Sequence, residues 1–272
     1  MANNETDKEF KIWTERDNPS KLKSIYNYQK MIIATAIKHN KAFWQQDKTK
    51  EQIDKDLPYN VKTGEPYTKI TSVLLEATAK IKGYETNQFI TMKQGNTMGG
   101  KLKPLTDEKG KPIISEKTGK QQYEKGVNIP LWKTYKLVPK LDDNKQPIMQ
   151  NNMPVFVKEY LPEPTLETTT LYHVSQFDNL DHSKFKEKNM ENLEKLRHEN
   201  RNTAQEPNIE KHLYKMELHD KTRIALHEYL NAQSKGLDYK VPEIAKTKSQ
   251  EQTQTQAKTQ NVTKPKNKGA ER

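Results

Sequence analysis

The hydrophobic periodicity of the chain changes at Gly83, and this change limits the fold more than any other sequence feature. Upstream, apolar residues recur at helical spacing over 18–44 and 70–82. Downstream, four runs rich in β-branched and aromatic residues predict short strands, at 88–92, 127–138, 153–161 and 169–177. Charged helical periodicity returns after Asp181 and continues to about Ala232. This order predicts an α+β fold in which helices flank a small, mostly antiparallel sheet.

Local signals set the ends of the predicted helices. Ser20 is placed to cap the first helix, and Gly83 is placed to end the second. Between the first two strands lies a Gly- and Lys-rich segment that predicts an exposed hairpin or lid. No internal repeat is evident in the sequence.

The same signals divide the chain into four parts. The prediction is a flexible N-terminus over 1–20, an α+β domain over 21–182, a charged helical extension over 183–244 and a disordered basic tail over 245–272. The α+β domain contains a basic insertion near 103–125. The tail is assigned as disordered because it has almost no apolar residues.

Composition limits both the core and the location. Only 32% of the residues are hydrophobic and 31% are charged, so the core is expected to be modest. No apolar run is as long as a membrane span, and the first residues form no apolar signal region. With no cysteine, disulfides and thiolate metal sites are excluded, and a reducing cytoplasm is the expected location.

The formal net charge of +11 is unevenly distributed. Residues 83–140 carry eleven lysines against five acidic residues, whereas residues 141–181 carry two lysines against seven. A local basic surplus indicates attraction to polyanions such as nucleic acid. The alternative is a generally Lys-rich surface that keeps the protein soluble.

The stretch from Gly95 to Lys101 has the spacing of a phosphate-binding loop, G-x-x-x-x-G-K. Such a loop also needs a buried strand before it, a helix opening at its lysine and a Ser or Thr after the lysine. Here Leu102 occupies that last position and Pro104 disfavours a long helix. The sequence therefore disfavours an ATP site. On this stretch alone a flexible β-turn is favoured, and the alternative is that its amides and the neighbouring lysines hold a phosphate of any origin.

No residue pattern indicates catalysis. His227 and Glu228 begin a zinc-protease helix motif, but Asn231 stands where its second histidine is needed. Ser175 and His173 lie two apart on a predicted strand without a third orienting group. We therefore expect a chain that is not an enzyme, with no catalytic residue, no metal site and no cofactor.

Aromatic residues are interleaved with lysines between Trp44 and Lys136. In the densest case, the strand around "PLWKTYK", Trp132 and Lys133 should face opposite ways. Stacking rings combined with a positive groove are typical of proteins that hold single-stranded nucleic acid without reading its sequence. The alternative for each ring is a place in the core of a small α+β domain.

Five segments in order resemble the N-terminal single-stranded-DNA-binding domain of ArdC-type antirestriction proteins. They are "AFWQQ", "LPYNVKTGEPYTKITSVLL", "NQFITMKQGNTMGGKLK", "EKGVNIPLWKTYK" and "TLYHVSQFDNLD", within about 42–181. The residues that match the order of the family's motifs are Trp44, Pro58, Asn60, Gly64, Tyr67, Ile70, Leu74, Thr91, Gln94, Gly99, Lys125, Gly126, Trp132, Val174 and Gln176.

The resemblance implies single-stranded-DNA binding, with duplex bound more weakly, on a plasmid or other mobile element. It also implies a role in shielding incoming DNA from restriction or in its processing. Two features depart from the family. Lys69 stands where a glycine is usual, and a long insertion separates Lys103 from Lys125. The zinc peptidase domain that follows in many members is replaced here, so no protease activity is carried over.

The expected binding residues combine the resemblance with the aromatic and basic pattern. They are Trp44, Tyr59, Asn60, Tyr67, Lys69, Lys93, Gln94, Asn96, Lys101, Lys103, Lys125, Trp132, Lys133 and Gln176. Two alternatives stay open. The chain could contact a restriction or DNA-transfer enzyme through segments 141–181 and 184–232, or it could be a nucleic-acid-processing enzyme. No membrane partner is expected.

Overall fold

The computed structural model describes residues 13–202 and 209–246, and within them the fold is α+β, as predicted. The helices of these ranges are α1 Asn18–Lys38, α2 Lys50–Asp56, α3 Lys69–Lys82, α4 Met92–Thr97, α5 Met190–Asn202, α6 Ile209–Lys215 and α7 Asp220–Lys235. The strands are β1 Tyr59–Asn60, β2 Gln88–Thr91, β3 Lys101–Leu102, β4 Val127–Pro139, β5 Met149–Gln150, β6 Met153–Pro154, β7 Phe156–His173 and β8 Phe177–Asp178.

The N-cap of the first helix lies three residues before the predicted one. Asp17, not Ser20, is the N-cap, and its carboxylate accepts a hydrogen bond from the Ser20 amide. Pro19 in the first turn favours this start because its fixed φ suits a helix and its missing N–H is not needed there. At the other predicted end, Gly83 terminates α3 in the left-handed conformation, as expected.

The main sheet has four strands in the order β1-β2-β7-β4. The β1–β2 pair is parallel, and the other two pairs are antiparallel. Strands β3 and β8 form a second, two-stranded antiparallel sheet. The mostly antiparallel sheet of the prediction is therefore confirmed.

The prediction of two separate strands between Met153 and Phe177 is wrong, because one long strand, β7, runs from Phe156 to His173. It pairs with β4 from Val127↔Leu171 to Pro139↔Phe156. The pairing shifts between Lys133↔Thr165 and Tyr135↔Tyr160, which leaves the sequence "LPEP" in an irregularity of β7. Prolines are tolerated there because no ladder hydrogen bond needs their missing amide.

Two segments, 104–123 and 139–155, have the same backbone pattern, although no repeat is evident in the sequence. In the first module (104–123), three backbone hydrogen bonds form a closed triangle. The amide of Leu105 donates to the carbonyl oxygen of Gln122, the amide of Gln122 to that of Ile113, and the amide of Ile113 to that of Leu105. In the second module (139–155), the equivalent triangle is formed by the amide of Lys140 with the carbonyl oxygen of Val155, the amide of Val155 with that of Ile148, and the amide of Ile148 with that of Lys140.

The two modules also share a turn built on an aspartate. The Asp107 carboxylate accepts from the amides of Lys109 and Lys111, and Asp142 accepts in the same way from residues 144 and 146. Gly110 and Lys145 occupy equivalent positions, and both have a positive φ. The common sequence is D-x-x-x-x-P-I, at 107–113 and 142–148. The exposed hairpin predicted for the basic insertion is thus one copy of a repeated unit.

Two hydrophobic clusters hold the described residues together. The larger joins α1, α3, α6 and α7 to the start of β4, and it contains Trp44, Leu74, Phe89 and Tyr229. The smaller consists of Val61, Ile90, Met98 and Phe177, with partly buried residues packed around it. It lies where β2, α4 and β8 meet, close to the predicted binding residues Tyr59, Gln94 and Lys101.

The charged helical extension contributes to the larger cluster. Arg197 of α5 is buried and donates to Asp54 of α2 and to the carbonyl oxygen of Gln233 of α7. The predicted division at residue 182 stays a prediction, although the core spans both sides of it. The sequence predicts a flexible N-terminus over 1–20 and a disordered tail over 245–272; of these, 1–12 and 247–272 lie outside the described residues, whereas α1 already begins at Asn18. Within the described ranges, every helix is too short or too polar to cross a membrane.

Candidate nucleic-acid interface

Asn60 organises the loop that precedes α3. Its Nδ2 donates to the Tyr67 hydroxyl (3.1 Å) and to Gln94 Oε1 (3.0 Å), while its Oδ1 accepts from the amides of Lys62 and Thr63. Both ends of the side chain are therefore used within the protein. Asn60 and Gln94, both expected binding residues, lie together, but they position the surrounding backbone and leave little polar capacity for a ligand.

The glycine-rich stretch after β2 folds as a short helix because Thr91 and Gln94 form a capping box. A Cβ at Gly95 would lie 2.5 Å from the Phe177 ring, and one at Gly100 would lie 2.5 Å from Leu180 Cδ2. These glycines thus allow α4 and the next turn to pack closely against the smaller cluster. This packing explains the G-x-x-x-x-G spacing without a nucleotide.

Lysines follow each other along the outer side of this packed region. Lys93 and Asn96 are exposed on α4, and Lys101 is exposed on β3. The two elements are neighbours because Phe177 contacts Gly95 of α4 and pairs with Leu102 of β3. We call Lys93, Asn96, Lys101 and Lys103 the α4–β3 rim.

The rim has more cations than acids. Among the described residues, neither Lys93 nor Lys101 forms an ion pair, and the same is true of the exposed Lys125 before β4. Lys103 Nζ lies 3.7 Å from the Asp178 carboxylate, and its side chain is half exposed. The rim therefore presents uncompensated positive charge, which attracts polyanions.

Tyr59 and Tyr67 are only partly exposed. The Tyr59 hydroxyl accepts from Gln88 Nε2, and Lys188 Nζ lies 5.4 Å from the centre of its ring. Burial raises the pKa of Tyr67 to about 12, so its hydroxyl stays protonated at neutral pH. Both rings pack against neighbouring residues and present only part of their surface to solvent.

Trp44 and Gln176 are expected binding residues that the structure buries. The Trp44 side chain has no exposed surface and makes an edge-to-face contact with Phe43. Gln176 is 5% exposed, accepts from the His173 amide and donates to Glu124. Neither can contact a ligand in this conformation, because one belongs to the hydrophobic core and the other caps the end of β7.

Trp132 and Lys133 lie on opposite faces of β4, as the alternation predicts. Trp132 is paired with the buried Leu166 and is 50% exposed. Lys133 Nζ forms an ion pair with Glu167 at 3.1 Å. Trp132 is therefore available for stacking, whereas the charge of Lys133 is compensated and points away from it.

Lys69, which departs from the glycine that is usual at this place in the family, has a backbone conformation that favours glycine. Its φ of 55° lies in the left-handed region, directly at the start of α3. The Lys69 side chain is exposed.

His173 and Ser175 are closer than their strand assignment suggests. His173 Nδ1 lies 2.6 Å from Ser175 Oγ, and Nε2 lies 2.9 Å from the Thr86 carbonyl oxygen. Burial lowers the pKa of His173 to about 4, so the ring is a weak base. The ring also accepts from the Ser175 amide, which makes it a cap of the turn at 174–176.

One basic cavity was missed in the sequence. It lies between α1, β4 and α6 and contains Trp132 together with Tyr26, Lys211 and Lys215. Sequence reasoning could not find it because its residues are up to about 190 positions apart. The available signal was the i, i+4 spacing of the two lysines on a predicted helix.

The fold and the rim describe a small α+β domain with a basic surface. Residues 23–160 match the family described as the N-terminal domain of anti-restriction factor ArdC. The chain belongs to this family, which confirms the resemblance seen in its sequence. A search of the curated proteins found no match.

Two crystal structures of the antirestriction ArdC protein from the R388 plasmid are similar to this chain. The metal-free structure has 20% sequence identity and a TM-score of 0.33, and covers 59% of this chain. The Mn(II)-bound structure has 21% identity and a TM-score of 0.34, and covers 60%. In both comparisons the match spans 43% of the ArdC chain, so this chain corresponds to less than half of that protein.

Proposed function

We propose that this protein binds single-stranded DNA and acts in antirestriction on a mobile genetic element, by binding and not by catalysis. Membership of the ArdC N-terminal family supports the antirestriction role. The observation that carries the binding proposal is the α4–β3 rim, where Lys93 and Lys101 have no acidic partner among the described residues. Lys125 and Lys69 add exposed positive charge.

Lysines on such a rim suit the sugar–phosphate backbone. Each phosphate that a lysine neutralises releases condensed counterions, so the logarithm of the binding constant falls by about 0.7 per phosphate for each unit of log salt on single strands. The rim carries no aromatic side chain, and base stacking is left to residues elsewhere. The rim therefore contributes affinity and position without reading the sequence of the DNA.

The test is fluorescence anisotropy with a labelled single-stranded oligonucleotide over a salt series. Changing Lys93, Lys101 and Lys103 together to Ala should weaken binding and make the salt slope shallower by about 2, since three phosphate contacts are lost. The matched control changes Lys38, Lys221 and Lys240, three exposed lysines on other elements, and removes the same net charge. An unchanged slope in the first variant, or equal losses in both, would contradict the proposal.

A second candidate function, contact with a protein, is favoured by the outer part of the β4–β7 hairpin. Leu137, Phe156 and Tyr160 are all more than half exposed there, on the two paired strands. Such a group of exposed apolar side chains is typical of a protein-binding surface. Changing Phe156 and Tyr160 to Ser should leave oligonucleotide binding intact and reduce protection of DNA against restriction in cells, if a protein is the target.

A further inference from the structure

A cavity of about 340 Å³ lies outside the rim, between the first half of α1, the start of β4 and α6. We call it the α1–α6 groove. Its lining residues are Leu22, Ile25, Tyr26, Pro130, Trp132, Lys211, His212 and Lys215. This volume is at the lower end of the ~300–1,000 Å³ range of ligand sites in proteins.

The lining combines flat rings with cations and contains no acidic residue. Trp132 is 50% exposed, so one part of its indole is free to contact a ligand. Tyr26 and His212 meet edge to face at 5.0 Å, which fixes the second ring wall. Burial and the neighbouring Lys215 hold the pKa of His212 below its ordinary value, so its ring is neutral and the positive charge comes from the lysines.

The two lysines are held in place by the buried side of their helix. Leu213 and Met216 are buried in the larger cluster and so anchor α6 and the turn after it. Lys211 and Lys215 therefore lie on the exposed side of the helix, one turn apart. Like charges at this spacing repel each other, and neither lysine forms an ion pair with a described residue. A phosphate between them would remove this repulsion.

We propose that the α1–α6 groove holds an unpaired nucleotide of a single-stranded nucleic acid, with its base against Trp132 and a flanking phosphate between Lys211 and Lys215. The proposal rests on the proposed function and extends it, because α6 lies outside the residues that match the ArdC family. The helical extension then has a direct part in binding. An unpaired strand fits better than a duplex because only its bases expose their faces for stacking.

The first experiment follows oligothymidylate binding to the full chain by Trp fluorescence and by anisotropy. Stacking on Trp132 should quench the fluorescence, and the quench should be lost in Trp132→Phe, which leaves Trp13 and Trp44 in place. Trp132→Ala should lower the affinity about ten- to a hundredfold. If the oligonucleotide binds without quenching Trp132, the groove is not the site.

The second experiment removes the cations. Lys211→Ala with Lys215→Ala should lower the affinity several-fold and make the salt slope shallower by about 0.7, because one phosphate contact is lost, while Lys38→Ala with Lys240→Ala removes equal charge and should change neither. Binding equal to wild type in the first pair would overturn the groove and leave the proposed function standing. No binding of single strands by the wild type would overturn both. Quenching by thymidine monophosphate at the same nucleotide concentration would indicate a free-nucleotide site and would also overturn the proposal.

Discussion

Lys69 has a left-handed backbone conformation that suits glycine better than lysine. With φ at 55°, its side chain sits close to its own carbonyl oxygen, which costs a non-glycine residue about 1–2 kcal/mol. Glycine avoids this cost but loses more chain entropy on folding, which offsets part of the gain. Lys69 is exposed, so its side chain does not compensate by packing in the core.

We therefore predict that Lys69→Gly raises the free energy of unfolding by about 0.5–1 kcal/mol. The measurement is denaturant unfolding followed by circular dichroism. Lys23→Gly is the matched control, because Lys23 is exposed within the regular part of α1 and its replacement should destabilise by about 1 kcal/mol. A loss of stability in Lys69→Gly would show that the lysine makes an interaction that outweighs the strain.

Residue types alone do not separate core from surface in this chain. Trp44 and Trp132 both occur in the family's motifs, yet one has no exposed surface and the other is half exposed. Two tyrosines almost two hundred residues further along the chain help to bury Trp44. Tyr229 packs edge to face against the adjacent Phe43, and the Tyr239 hydroxyl donates to the Trp44 carbonyl oxygen. A local pattern carries no information about such contacts, so ring burial could not be predicted.

At the scale of elements, α3 was predicted well, whereas the first helix has another N-cap and ends at Lys38, before the predicted 44. The end of α3 at Gly83 was predictable because the left-handed conformation selects glycine locally. The two modules were missed, because a shared D-x-x-x-x-P-I in a chain of this length does not stand out. Their likeness lies in backbone hydrogen bonds, which many sequences can form.

The first module should be dispensable for folding. Its apolar residues Ile113 and Ile114 are exposed, and none of its residues belongs to either hydrophobic cluster. Replacing 105–122 by Asn-Gly, which joins the bridged residues Pro104 and Tyr123, should change the melting temperature by less than about 4 °C. A cooperative loss of the fold on calorimetry would contradict this. The same replacement of 140–155, which joins the paired residues Pro139 and Phe156, tests the second module.

At the scale of the molecule, the order of helices and strands was predictable, but the sharing of one core between the matched domain and the extension was not. Leu226, Tyr229 and Leu230 of α7 are buried in the larger cluster. The Tyr229 hydroxyl also donates to the buried carboxylate of Glu76 on α3. The periodicity of charged and apolar residues indicates that helices form in the extension, but it does not indicate which part of the fold they pack against.

We predict that a chain ending at residue 182 does not fold cooperatively, whereas a chain ending at residue 246 melts like the full chain. The first truncation exposes the apolar residues that α7 covers and leaves Glu76 without the Tyr229 hydroxyl. Calorimetry and urea unfolding measure both variants. A sharp transition in the shorter chain would show that the α+β domain is independent, as the sequence division at 182 predicts.

The contact between Trp44 and Tyr239 has a consequence for biosynthesis. The Tyr239 hydroxyl donates to the Trp44 carbonyl oxygen at 2.6 Å, across 195 positions of the chain. At ~5–20 residues per second, a ribosome needs about 10–40 s to travel from one to the other. During that interval the half-built core exposes apolar surface to the translating cell, so a chaperone that holds nascent chains should raise the yield of native protein.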